Sequence, residues 1–256
     1  MNAWDSYETR LGYSKEIKQS LTRERTKDRL TKQMSTNLSY DDVTINGEKR
    51  QISVIDETEF NKKKIHSLPK ENLEHGAIVE WSGSIWLITE IDVHKELYST
   101  GRMERCNHLL KWINDSGEII ERWCIVEDGT KYLIGEKSND IMAIGDARIA
   151  VTVGKDIETC KLNRGYRFII DDLDSGAPLA YQITKPNKLY NIYDNKGVFR
   201  FILNEVNRTD NDNLELRIAD YYNWHPKKDK IESDVKNRPP FDGTTDSPEK
   251  ESEVWI

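Results

Sequence analysis

The sequence predicts a mainly β protein, with a small β-barrel followed by an Ig-like β-sandwich, an N-terminal helix and a disordered C-terminal tail. Between residues 40 and 225 most segments alternate apolar and polar residues with a period of two, and turn sequences with Gly, Asn or Asp separate them. Both ends lack this alternation. The apolar share is 36% and the charged share 32%, which indicates two modest cores diluted by charged end segments.

The N-terminal arm, residues 1–39, is rich in charge and in helix formers. We expect a helix from Ser14 to Met34, with Ser14 as its N-cap. Its apolar stripe is thin, so the helix would need a partner surface to be held firmly. A solvated leader is the alternative. The arginines that we predict to act as an interface arm are Arg23, Arg25 and Arg29.

The barrel is predicted over residues 40–140. Asn46-Gly47 and Ser82-Gly83 each stand between two short strands, as in tight hairpins. A long strand bent near Gly101 follows, and Asp115-Ser116-Gly117 turns the chain back. Several short strands with tight turns are typical of a small barrel. Four tryptophans, which commonly anchor cores or interfaces, fall in this segment: Trp81, Trp86, Trp112 and Trp123.

The polar stretch from Asp56 to Gly76 is predicted to be a loop inside the barrel domain. It holds a basic cluster that we expect to be exposed. The residues proposed for a docking or gating loop are Lys62, Lys63, Lys64 and His66.

The second β domain is predicted over residues 145–225. Six or seven short strands in this space fit an Ig-like sandwich, whose typical domain has about 100 residues. The last of these strands is expected from Leu214 to Tyr222. The Cys…Trp…Cys spacing of antibody domains is missing. Residues 226–256 lose the apolar pattern and are expected to form a disordered tail.

No motif in the sequence predicts catalysis or a cofactor. Walker-type, dinucleotide-binding and nucleophile-elbow patterns are all missing. Cys106, His108 and Cys124 could approach one another on neighbouring strands, but neither usual zinc-ligand spacing occurs. We therefore expect no metal, no cofactor and no enzyme activity.

Composition narrows the remaining classes. No apolar run is long enough for a transmembrane helix, and the first residues show no secretory signal. Three cysteines are too few for a disulfide framework, which favours synthesis in a reducing cytoplasm. The net charge of −7 argues against a general nucleic-acid binder.

One stretch resembles a known family. GAIVEWSGSIWLITEID (Gly76 to Asp92), followed by RMERCNHLLKW (Arg102 to Trp112), is similar to the small β-barrel proteins of the head-gene cluster in tailed phages of Gram-positive hosts. The preceding hairpin around Asn46-Gly47 also looks like theirs. The resemblance covers about Val43 to Val126. The second β unit is similar to Ig-like decorations of phage virions.

The resemblance implies a head–tail connector or stopper-like virion protein, assembled in the host cytoplasm and located at the virion neck. It implies a homo-oligomeric ring, a hexamer or dodecamer, that contacts portal or adaptor and tail proteins while double-stranded DNA passes through the lumen; no membrane partner is expected. Two alternatives stay open. One is a single-stranded nucleic-acid-binding OB-type module that uses Trp81 and Trp86. The other is a glycan-binding decoration protein with exposed Tyr190, Tyr193 and Tyr221.

Overall fold

A computed structural model describes residues 15–36, 40–69, 71–92, 97–128, 148–170, 178–189 and 191–225. It is mainly β, with one long helix near the N-terminus and two barrel-like sheets. The strands are β1 (Tyr40–Ile45), β2 (Glu48–Asp56), β3 (Lys62–Ser67), β4 (Ile78–Trp81), β5 (Ser84–Asp92), β6 (Thr100–Arg105), β7 (His108–Ile113), β8 (Ile119–Asp128), β9 (Arg148–Gly154), β10 (Arg167–Ile170), β11 (Leu179–Asn187), β12 (Ile192–Tyr193) and β13 (Lys196–Val206). The helices are α1 (Lys15–Ser35), α2 (Ile157–Lys161) and α3 (Tyr221–Trp224).

The first sheet is a closed barrel in the order β1-β2-β3-β6-β5-β4, and every neighbouring pair is antiparallel. The predicted hairpins at Asn46-Gly47 and Ser82-Gly83 are confirmed. Asn46 and Gly47 both have positive φ angles, 49° and 85°, as a tight hairpin of this kind requires. Alternate residues of the strands fill the interior, among them Ile52, Ile65 and Met103, which are fully buried.

The second sheet runs β10-β11-β13-β9-β8-β7, and β12 pairs with β13 outside that path. Its two end strands lie beside each other, and Trp112 of β7 meets Phe168 of β10 edge to face at 6.2 Å between ring centroids. The sheet thus curls around a core of its own. One continuous sheet supplies this unit, so the predicted Ig-like sandwich, which needs two packed sheets, is not confirmed.

The chain passes from the barrel to the second sheet at Cys106-Asn107. The sequence predicted one long strand here and placed it, with the strand after it, in the barrel; the structure instead ends β6 at Arg105 and pairs β7 and β8 with the second sheet. The Asn107 amide makes the switch possible. Its Nδ2 donates to the Val126 carbonyl at 2.7 Å, and its Oδ1 accepts from the Val126 N–H at 2.8 Å. The side-chain amide thus makes the two hydrogen bonds to Val126 that the backbone of a neighbouring strand would otherwise make.

The predicted strand from Leu214 to Tyr222 is wrong. The chain forms turns there, with one isolated bridge between Asn213 and Ile218, and then α3. Arg167 fixes this segment because its guanidinium donates to Asp212 and Asp220 at 2.8–3.0 Å. Asp212, whose side chain is fully buried, also accepts from the backbone N–H groups of Thr209 and Asp220. Burying this ion pair needs a curled loop that surrounds the carboxylate, which a straight strand does not offer.

Several expectations fall outside the described residues. These are the N-cap at Ser14, the predicted domain boundary between 140 and 145, the exposed tyrosine predicted at Tyr190, and the tail 226–256. The helix predicted from Ser14 to Met34 is confirmed over Lys15–Ser35. Among the described residues, no helix is long and apolar enough to cross a membrane.

Candidate functional site

A cleft of about 670 Å³ lies where the barrel meets the loop that leads into β12. Residues of β3, β5 and β6 form one wall, and Asn191 and Tyr193 of the second unit form the other. The lining is polar and charged, with few apolar side chains. It is therefore suited to a polar ligand or a polar segment of another chain and not to an apolar small molecule.

His75 forms part of the cleft and is held from two sides. Its Nε2 lies 2.6 Å from the Thr89 carbonyl oxygen, and its ring stacks on Tyr193 with centroids 5.8 Å apart. Since a carbonyl can only accept, Nε2 is the protonated nitrogen. Burial lowers the pKa of His75 below its ordinary value, against smaller opposing effects of the Thr89 hydrogen bond and Glu90. The ring is consequently neutral near pH 7.

The charges in the cleft nearly balance. Arg102 donates from Nε to Glu57 and from Nη1 to Glu90, both at 2.9 Å. Lys64 and Asp92 complete the charged lining. Because Arg102 is already paired with two carboxylates and Lys64 offsets the charge of Asp92, the cleft offers hydrogen-bond donors and acceptors without a strong field of either sign.

Three glycines hold the two units together beside this cleft. A β-carbon on Gly76 would lie 2.0 Å from the Gly197 carbonyl oxygen, and one on Gly154 would lie 2.4 Å from the Gly76 carbonyl oxygen. Only glycine permits backbones to approach this closely. The apolar cluster of Leu87, Cys106, Ile125 and Val198 continues the contact. A Lys196–Glu74 ion pair at 2.5 Å adds to it. The opposite walls of the cleft are therefore fixed relative to each other.

The residues predicted to form a docking or gating loop lie on a strand instead. Lys62, Lys63, Lys64 and His66 belong to β3, in the barrel wall, so the predicted loop is wrong over these positions. The Lys63 side chain is only 11% exposed, and its Nζ contacts Asp56 at 2.7 Å. Lys62 pairs with Glu59 at 2.8 Å. The lysine stems cover the barrel while their ammonium groups reach carboxylates, which is how a charged run can form a strand. A docking role for these four residues stays a prediction.

The predicted interface arm lies on α1. Arg23, Arg25 and Arg29 are all exposed. Among the described elements, none makes an extensive contact with α1. Within the described residues, α1 therefore has no extensive packing against the two sheets, which together are called the β body below.

The tryptophans proposed for base stacking are occupied in the fold. Trp86 is only 4% exposed and belongs to the barrel core. Trp81 is half-buried, contacts Trp86 at 5.6 Å between centroids, and donates from Nε1 to Asp41 at 2.8 Å. A stacking platform needs free ring faces, and Trp86 offers none.

The two cysteines considered as metal ligands are buried. Burial raises the pKa of Cys106 to about 12, and it also raises the pKa of Cys124, so neither thiol is poised as a thiolate. The Cys124 thiol donates to the His108 carbonyl at 3.5 Å. No group of three or more metal-binding side chains suited to holding an ion occurs among the described residues.

Comparison with family models, with curated proteins and with solved structures gives no match.

The sequence predicts Tyr193 as an exposed aromatic residue, but no sequence pattern indicates the cleft around it. Glu57 and Arg102 lie far apart in the chain and meet only because β3 pairs with β6. The three glycines at the contact between the barrel and the second sheet carry no sequence pattern that predicts this contact. Nothing in the sequence distinguishes Gly154 from any other glycine at a strand end.

Proposed function

We propose that this protein is a structural virion protein at the head–tail interface of a tailed phage, forming a connector ring that joins portal or adaptor to tail and helps to retain packaged DNA. The observation that supports this most is the closed barrel. Its strands β1 to β6 include most of the segment that resembles the phage barrel proteins. A resemblance that rests on a strand pattern gains weight when those strands close into the expected barrel.

Charge and shape also support a ring through which DNA passes. Residues 40–225 carry 24 basic and 32 acidic residues, a net charge of −8. Phosphate contacts drive non-specific DNA binding, so an acidic body would let DNA slide past. A ring is built from head-to-tail contacts between two different surfaces of each subunit. The basic α1 and the acidic β body provide two such different surfaces.

The test is the assembly state of the full-length protein, alone and in particles. We expect rings of six or twelve subunits by native mass spectrometry and negative-stain microscopy, and the protein itself in purified virions by mass spectrometry. A chain that stays monomeric at every concentration and is missing from virions would refute the proposal.

A second candidate function, glycan binding, is favoured by one observation. Tyr193 is 62% exposed at the mouth of a cleft whose other groups are hydrogen-bond donors and acceptors. An exposed aromatic ring with polar neighbours suits a hydroxyl-rich ligand. Titration with bacterial cell-wall oligosaccharides should then give heat that Tyr193→Ala removes and Tyr221→Ala, half-buried against Tyr222, retains. Equal binding by both variants would eliminate this candidate.

A further inference from the structure

The chain divides its charge between the arm and the body. The segment Lys15–Ser35 has seven basic and three acidic residues, a net charge of +4, whereas residues 40–225 have a net charge of −8. We propose that α1 of one copy docks on the outer face of the β7–β8 hairpin of a second copy. This inference rests on the proposed ring and names the contact that would build it.

The receiving surface combines exposed apolar side chains with carboxylates. Residues 119, 121 and 123 of β8 point to one face, because side chains alternate along a strand. On that face Ile119 is 44% and Trp123 is 39% exposed. Leu109 stands directly opposite Trp123 in β7. Glu121 lies between the two apolar residues of β8 and forms an exposed ion pair with Lys111, opposite it in β7, at 2.7 Å; an arriving arginine or lysine of α1 would share this carboxylate. Glu118, at the end of the turn, is also exposed.

One face of α1 has the matching pattern. Leu30 and Met34 are one helical turn apart, and Lys27 and Arg23 follow on the same face toward the N-terminus, since residues three and four apart are neighbours on a helix. From Met34 to Arg23 the helix spans about 16 Å at 1.5 Å per residue. From Trp123 to Glu118 the strand and turn span about 16 Å at 3.3 Å per residue. The apolar pair can therefore lie over Trp123 while the basic pair reaches the carboxylates.

A second copy fits this surface better than nucleic acid does. The receiving face is apolar with a small excess of carboxylates, Glu118 and Glu121 against Lys111, so it does not attract phosphate. The basic α1 is the complementary element of the same chain. Opposite charges on two surfaces of one subunit give head-to-tail contacts, which close into rings. The apolar contact supplies the part of the binding that salt does not weaken.

The chain offers a matched control for the helix face. Arg25 and Arg29 lie on the side of α1 away from Leu30, so R25E/R29E changes the net charge by the same amount as R23E/K27E but on the wrong face. Sedimentation velocity of the full-length protein in about 0.15 M salt, where charges are screened beyond about 8 Å, compares the two. We expect R23E/K27E to weaken self-association by about tenfold or more and R25E/R29E to change it by about twofold or less.

Charge exchange tests the partner surface. E118K/E121K alone should weaken self-association as R23E/K27E does, and an equimolar mixture of these two variants should restore it, because the reversed arm then meets a reversed surface. Circular dichroism melting of each variant checks that it is folded. A mixture that stays dissociated, or equal losses in the two arm variants, overturns the inference. If R23E/K27E still forms rings, or loses only binding to double-stranded DNA, the α1 contact is refuted but the proposed ring is not. If the wild-type protein is always monomeric, the proposed function itself is refuted.

Discussion

Replacing Gly154 with alanine should force the barrel and the second sheet apart. The added β-carbon would lie 2.4 Å from the Gly76 carbonyl oxygen and 3.6 Å from Cδ1 of Leu87. Ordinary contacts begin near 3.4 Å, so the backbones must separate by about 1 Å. Neither side can yield easily. The Gly76 N–H donates to the Ile88 carbonyl in the barrel at 2.9 Å. Lys155, which follows Gly154 in the chain, donates its N–H to the Gly197 carbonyl in the second sheet, also at 2.9 Å.

The sign of the effect separates this mechanism from ordinary glycine replacement. Alanine in a roomy strand position would stabilise the protein by about 0.5–1 kcal/mol relative to glycine. Overpacking at a tight backbone contact costs about 1–3 kcal/mol. Subtracting the gain from the cost, we expect a net loss of about 1 kcal/mol, which lowers the midpoint of thermal unfolding by about 2–4 °C for a protein of this size.

Thermal unfolding by circular dichroism measures the global effect, and hydrogen exchange of the Lys155 amide measures the local one. Gly47→Ala is the control, because Gly47 has a positive φ of 85° but no atom within 4 Å of the added carbon. We expect Gly47→Ala to lower the free energy of unfolding by about 1–2 kcal/mol, because alanine resists the left-handed backbone. Exchange of the Lys155 amide should then rise no more than this global loss explains. A Gly154→Ala protein that is as stable as the wild type, or in which Lys155 keeps its protection, would refute the reasoning.

Three further predictions follow from buried ionisable groups. Asp212→Asn should destabilise the protein by about 3 kcal/mol, because it leaves a buried guanidinium partly unpaired. Burial by itself raises the Asp212 pKa, but the hydrogen bonds from Arg167 and from two backbone N–H groups together outweigh it and lower the pKa. The wild type therefore has this stability above the unfolded pKa and loses it as pH falls below about 4, and denaturant titrations should show a shallower acid loss in the variant. His75 has a lowered pKa, so the unfolded state takes up its proton first as pH falls below about 6.5; the stability lost between pH 7 and 5 should shrink in His75→Gln, and an unchanged slope contradicts the assignment. A thiol reagent should modify only the exposed Cys160 in the native protein and all three cysteines after unfolding, as counted by mass spectrometry; rapid reaction of a second cysteine in the native state would show that the buried pair is accessible.

The features that the sequence predicts correctly depend on residues that are close together in the chain. The hairpins at Asn46-Gly47 and Ser82-Gly83 depend on turn residues and on alternation within a few positions, and both are present. The N-terminal helix depends on helix-forming residues without a breaker between Lys15 and Ser35, and it too is present. The sequence does not predict strand β3, because its three lysines make the segment polar. Lys63 nevertheless lies on the same strand face as the buried Ile65, and its stem is covered while its ammonium group reaches Asp56.

The sequence by itself determined that this protein is mainly β, that a charged helix precedes the β body, and where the tight turns lie, because each of these follows from interactions among neighbouring residues. Only the tertiary structure decided that β7 and β8 join the second sheet and that His75 meets Tyr193 at a cleft. It also decided that three glycines allow the backbones of the two units to approach closely. Strand alternation states which face of a strand is buried but not which sheet covers it. Partners distant in the chain are chosen by packing and backbone hydrogen bonds across the whole fold, which no local pattern contains.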